Sequence, residues 1–198
     1  MNPMLLAVLL RYPDDALLAG LDELGAAVGA LPGRHRASLE RLVAWLRDAP
    51  PDEVRSAYVR SFDFDRRASL HLTYQLHGDT RRRGLELIRL KRRYAEADLP
   101  MAEGELPDYL PAVLEFAALR PAEGKALLAE LRVPIELVRE ALRRRESPWT
   151  AVLEALCAEL PRPSRRQREQ AQRLAEEGPP EELVGLEAFP GTPAEVTP

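Results

Sequence analysis

Apolar residues return every three or four positions through almost all of the first 160 residues, and that spacing admits helices and little else. Leu17, Leu21, Leu24 and Val28 follow the i, i+4, i+7, i+11 pattern behind Asp14, whose carboxylate can cap the first free amides. Leu39, Leu42, Val43 and Leu46 mark another helix, stopped at Pro50 and Pro51. Val54, Tyr58, Ser61 and Phe62 share a face after Asp52. A long basic helix is predicted over 80–97, burying Leu85, Leu87 and Ile88 and exposing Arg82, Arg89 and Arg93. Further stripes run through Leu110, Val113, Leu114 and Ala117, then Leu127, Leu128 and Leu131. Ile135, Val138 and Leu142 follow Pro134, and Trp149, Val152, Leu153, Leu156 and Leu160 follow Ser147 and Pro148, each proline suited to a first helical turn. The expectation is an all-α, single-domain helical bundle or orthogonal array of about nine helices with a flexible C-terminal tail.

Two stretches depart from the pattern. In SLHLTYQLHG the residues Leu70, Leu72, Tyr74 and Leu76 alternate strictly, which is a strand signal. No other segment alternates to pair with it, so a short irregular or helical segment lining a groove is the better reading. The C-terminal end changes composition: no Lys or Arg follows Arg173, and glutamate and proline accumulate. The helical domain is therefore taken as 1–162 and the rest, 163–198, as a variable tail, with an amphipathic helix possible at 164–177 and a mobile stretch at 178–198. Within that stretch EELVGLEAF, Glu181 to Phe189, is apolar enough to dock somewhere, even as an internal stand-in for a partner.

At 198 residues the chain can bury a full core without metals or disulfides, and its one cysteine, Cys157, lies on an apolar helical stripe. A net charge of −4, spread finely, argues against general nucleic-acid binding. The apolar run from Met4 to Leu10 has no preceding Lys or Arg, and Asp14 and Asp15 follow it, so it does not read as a secretory signal. No run approaches the roughly 20 apolar residues of a membrane span. A cytoplasmic location with no membrane insertion is expected.

Catalysis finds little support. There is no HExxH, CxxC, GxSxG or glycine-rich phosphate loop. His71 and His77, with Asp63, Asp65 and Asp79 nearby, keep a metal-dependent hydrolase open as an alternative, although a spacing of six does not put both rings on one helical face. The triplets Arg81–Arg83 and Arg143–Arg145 splay around their helices, as solvated surface with local ion pairs would. The first follows a helix start, where the dipole disfavours cations, so it calls for acidic partners on this protein or on a ligand. In ELPDYLP, Pro107 holds Leu106 extended and Asp108 is placed to cap the helix of Leu110 and Leu114, leaving Glu105 and Glu115 for a cationic ligand.

Taken in order, these segments resemble a known family. YVRSFDFDRRASLHLTYQLHGDTRRRGLELI, Tyr58 to Ile88, resembles the signature of nitrate reductase molybdenum cofactor assembly chaperones of the NarJ type. ELPDYLPAVLEFAAL, Glu105 to Leu119, is similar to their second signature, and LLRYPDDAL and RRESPWTAVLEAL also fit. Tyr109 stands where that second signature usually has histidine, which removes any proton-linked role near neutral pH.

The resemblance, which extends to the wider TorD-like redox-enzyme maturation chaperones, implies an all-helical protein without catalysis or a resident cofactor. It implies a cytoplasmic partner, the molybdenum-containing catalytic subunit of nitrate reductase, held by its N-terminal segment during cofactor insertion and before membrane docking. Another molybdoenzyme could be the client of the same fold, and a monomer is expected with a dimer possible. The expected peptide site is an apolar groove edged with carboxylates that accepts an amphipathic helix. Tyr58, Phe62, Leu72, Tyr74 and Tyr109 would supply its apolar and aromatic contacts, and Glu105, Asp108 and Glu115 would meet basic residues. His77, Asp79, Arg81 and Arg82 would fix the loop between the two signatures.

Overall fold

A computed structural model describes residues 2–101 and 104–180. Among these, twelve α-helices and one 3-10 turn follow one another with short connections. In order they are α1 (Pro3–Leu9), α2 (Asp15–Ala19), α3 (Leu21–Gly29), α4 (Arg36–Asp48), α5 (Pro51–Phe62), the 3-10 turn (Arg66–Ala68), α6 (Leu72–His77) and α7 (Arg81–Glu96). Then come α8 (Leu110–Leu119), α9 (Pro121–Glu130), α10 (Arg132–Arg144), α11 (Thr150–Glu159) and α12 (Arg165–Glu177). The all-α expectation holds. The count exceeds nine because the run from Leu17 to Val28 breaks at Gly20, and because the opening apolar run and α6 are helices as well.

Local chemistry explains most of the boundaries. Asp14 caps α2, its carboxylate accepting the Leu17 amide at 2.8 Å. Ser164 and Gln167 form a reciprocal capping box at the start of α12. Pro134 falls within the first turn of α10, where no intrahelical amide bond is lost. EELVGLEAF and the rest of the expected mobile tail from 181 on lie outside the described residues.

The core is centred on α8, which packs against both α1 and α9. Leu110, Val113 and Leu114 are wholly buried there. Gly124 lets α9 approach closely, since a Cβ at that position would fall 2.2 Å from the Ala117 Cα. An aromatic cluster of Tyr58, Phe62 and Trp149 closes the opposite end of α1. The Tyr58 hydroxyl donates to the Leu10 carbonyl at 2.8 Å and the Trp149 indole N–H to the Leu9 carbonyl at 3.0 Å. Two carbonyls that α1 leaves free are thus satisfied by side chains from distant segments.

α7 corrects the expectation. Its inward stripe is Arg83, Leu87, Leu90 and Tyr94, spaced i, i+4, i+7, i+11. Leu85 and Ile88 point outward and are 68% and 60% exposed.

Candidate functional site

The two sequence signatures meet at Asp108. The segment SLHLTYQLHG is neither a free strand nor a loop: His71 makes one isolated antiparallel bridge with Tyr109, and the chain then turns into α6. The Leu72 amide donates to the Asp108 carbonyl at 3.0 Å and the Leu110 amide to the Leu70 carbonyl at 2.9 Å. Asp108 does not cap α8, whose N-cap is Tyr109. Its carboxylate reaches across to the N-terminus of α6, accepting the Thr73 amide at 3.1 Å and the Thr73 hydroxyl at 2.5 Å. The ring nitrogen Nδ1 of His71 lies 3.2 Å from its other oxygen. Arg83 stands 4.0 Å away, and donates at 2.9 Å to Asp79 with its guanidinium over the Tyr74 ring.

Burial alone would raise the Asp108 pKa. The hydrogen bonds from His71 and Thr73, with the attraction of His71 and Arg83, outweigh it and hold the carboxyl below its ordinary range. Asp108 is therefore a buried anion with its lone pairs engaged. It fixes α6 and does not offer itself to a visitor.

One face of α6 forms the wall of a cleft of about 1920 Å³. Phe64, Tyr74, Leu76 and His77 line this side, and Arg166, Arg173 and Leu174 of α12 line the other. Phe64 is 77% exposed. Gln75, buried behind the wall, donates to the carbonyls of Arg66 at 2.8 Å and Ser69 at 3.1 Å, tying the 3-10 turn to α6. Burial lowers the His77 pKa, opposed by Glu86 and aided by Arg82, so its ring is neutral at pH 7. The rim carries Arg66, Arg67, Arg82, Arg166 and Arg173 against Asp65, Glu169 and Glu177. It is not the carboxylate-edged groove expected from the sequence.

Of the residues expected to meet a peptide, Tyr74, His77 and Arg82 line this cleft. Asp79 lies in the turn between α6 and α7, and Arg81 begins α7. Tyr58, Phe62 and Leu72 belong to the core, with Leu72 completely buried. Glu115 is paired with Arg11 at 2.5 Å. Tyr109 stacks obliquely on His71, 5.4 Å between ring centres, and the exposed Glu105 lies just before it in the chain; neither lines the cleft.

The sequence reading passed over Phe64, Thr73, Gln75 and Arg83. Arg83 alone had a local signal, standing four residues after Asp79 on a helix start. The second arginine triplet is engaged within the fold, Arg143 and Arg144 on Glu140, and Arg145 on Asp65. His71 faces Asp108 and His77 faces the cleft. No group of three His, Cys, Asp or Glu among the described residues is arranged to hold a metal ion.

Known proteins match this chain in sequence over most of its length. The family described as nitrate reductase delta subunit matches residues 29–155. The chain is 40% identical over 152 residues, 76% of its length, to the nitrate reductase-like protein NarX of Mycobacterium tuberculosis, but spans only 23% of that protein. It is 34% identical over 159 residues to the probable nitrate reductase molybdenum cofactor assembly chaperone NarJ of Bacillus subtilis, covering 78% of this chain and 85% of that one. With the Escherichia coli K12 chaperone NarJ it shares 32% identity over 152 residues, 75% of this chain and 64% of that one. Matched over most of its helical domain, and aligned along most of the Bacillus protein, this chain belongs to the nitrate reductase delta subunit family.

Proposed function

We infer that this chain is a cytoplasmic chaperone, not a catalyst, dedicated to the molybdenum-containing catalytic subunit of a nitrate reductase. It holds the N-terminal segment of that subunit while the molybdenum cofactor is inserted and before the complex docks on the membrane. Family membership and the assembly-chaperone names of its relatives support the role. The observation that carries the peptide-binding part is the cleft beside α6. A helical turn occupies roughly 400 Å³, given a cylinder about 10 Å across and 5.4 Å per turn. The cleft volume of about 1920 Å³ then suits an amphipathic helix of a few turns.

Phe64, Tyr74, Leu76 and Leu174 supply the apolar floor and walls for such a helix. Exposed charge pairs contribute only about 0–1 kcal/mol each, so affinity rests on these apolar contacts. The mixed arginine and carboxylate rim sets register and orientation. Asp108 and Arg83 keep the α6 wall in place, and Tyr58, Phe62 and Leu72 are its scaffold. Isothermal calorimetry with a synthetic peptide of the client's N-terminal segment tests the reading. Binding that weakens on Phe64→Ala or Tyr74→Ala supports it, and no heat with the unaltered protein rejects it.

A further inference from the structure

α7 carries a face that the fold leaves open. Leu85 and Ile88 lie one helical turn apart on it, 68% and 60% exposed, and neither lines the cleft beside α6. A Cβ on the adjoining Gly84 would meet nothing within 4 Å, so the space around the pair is open as well. At about 100° per residue Arg92 falls on the same stripe, and Lys91 and Arg89 flank it on opposite sides. Arg89 is held by Glu86 at 2.8 Å and Glu130 at 2.5 Å. Lys91 and Arg92 are exposed and enter no ion pair among the described residues.

The charge of this helix runs against that of the chain. Apart from Arg81, which is already engaged, α7 has six cations: Arg82, Arg83, Arg89, Lys91, Arg92 and Arg93. Four carboxylates lie on the helix or pair with it, namely Glu86, Glu96, Asp79 and Glu130. A positive surplus therefore remains here, on a chain whose net charge is −4.

We propose that this face of α7 rests on the headgroups of an anionic bilayer, with Leu85 and Ile88 inserted among them and Lys91 and Arg92 on the lipid phosphates. Shape selects this partner. The aliphatic pair stands up as a ridge, so a protein partner would need a matching groove lined with carboxylates. A bilayer interface yields to a ridge of any form, and an anionic leaflet is negative throughout. The long stems of Lys91 and Arg92 carry their charges to the phosphates while their methylenes lie beside the aliphatic side chains. The contact is peripheral, since no helix among the described residues is long and apolar enough to cross a membrane. The negative remainder of the molecule is repelled, which turns α7 toward the lipid. Arg82, on the cleft rim, precedes Leu85 by about 4.5 Å of helix, so the cleft opens beside the surface. The lipid contact does not depend on what the cleft binds.

Co-sedimentation of the full chain with vesicles tests the proposal. The unaltered chain should bind vesicles of mixed phosphatidylcholine and phosphatidylglycerol roughly tenfold or more tightly than vesicles of phosphatidylcholine alone. Binding should weaken as salt rises from about 0.1 to about 1 M, where the Debye length falls to roughly 3 Å. Lys91→Gln, Arg92→Gln should weaken it roughly tenfold or more, at about fivefold for each cation near the surface. Leu85→Ser, Ile88→Ser should do the same, with circular dichroism unchanged in both variants because all four side chains are exposed. No binding by the unaltered chain, equal binding to both vesicles, or binding that survives either pair of changes would overturn the proposal. So would a dimer in sedimentation equilibrium that Leu85→Ser, Ile88→Ser abolishes, since the face would then belong to a second copy of this chain.

Discussion

The carboxylate of Asp108 caps a helix 35 residues earlier in the chain, accepting both the amide and the hydroxyl of Thr73. This tertiary cap joins the two signature segments and sets the orientation of α6, which is the cleft wall. Hydrogen bonds to a charged group contribute about 1.5–3 kcal/mol, and their loss in a buried site leaves donors unsatisfied. Asp108→Asn should therefore lower the free energy of unfolding by about 2–3 kcal/mol. Urea denaturation measures it; a change within error would show that the cap is not structural.

The same group gives a pH dependence of defined sign. Its pKa is depressed in the folded state, so its stabilisation is present above the ordinary value of 3.8 and is lost as pH falls through the folded value. The stability gap between the unaltered protein and Asp108→Asn should be full at neutral pH and narrow only below about pH 3.8. A gap that is constant across that range would place the cost of the substitution in packing.

Much of the fold was legible because helical periodicity and proline placement are local signals. Asp14 as a cap, the α12 helix and the burial of Cys157 followed from neighbours in the chain. What escaped was decided by contacts between distant segments. Asp108 sits where a cap for α8 belongs, yet Thr73 offers it two donors and complements the helix start of α6, so the distant partner wins. On α7 the cluster Leu85, Leu87 and Ile88 looked inward, but Leu87, Leu90 and Tyr94 keep the 3.6-residue phase and the Tyr94 hydroxyl finds the Pro107 carbonyl at 2.8 Å. The cleft was the least legible part, because half of its lining comes from α12 and the three residues after it, beyond both signatures.

Tyr58→Phe removes the hydroxyl that satisfies the Leu10 carbonyl while keeping the ring against Phe62 and Trp149. A buried acceptor left unpaired costs about 1–3 kcal/mol. Thermal unfolding should show a lowered midpoint with peptide affinity nearly unchanged, which separates scaffold from contact surface.

Cys157 should be inert in the native protein. Burial pushes its thiol up to about 12, so little thiolate forms at pH 8. A disulfide reagent such as dithionitrobenzoate should react with it only after unfolding; prompt reaction in native buffer would contradict this packing of α11.

Gly78 has a φ of 58° and a ψ of −155°, a backbone region nearly confined to glycine, and the Pro180 carbonyl occupies the space of a side chain. Gly78→Ala should cost about 1–3 kcal/mol of strain and lift residues 178–180 away. Limited proteolysis reads the second effect: cleavage between Glu177 and Glu182 should become faster, and unchanged cleavage would mean that the contact does not hold the chain.

The most direct test of the account is a calorimetric titration of the client's N-terminal peptide into four proteins. These are the unaltered chain, Phe64→Ala, Tyr74→Ala and Glu115→Gln. If the cleft between α6 and α12 receives the peptide, both aromatic variants should bind roughly tenfold or more weakly, a loss typical of a central apolar anchor, while Glu115→Gln stays close to the unaltered value. Undiminished affinity in Phe64→Ala and Tyr74→Ala, with a large loss in Glu115→Gln, would contradict the account and move the peptide to the surface around Tyr109 and Arg11.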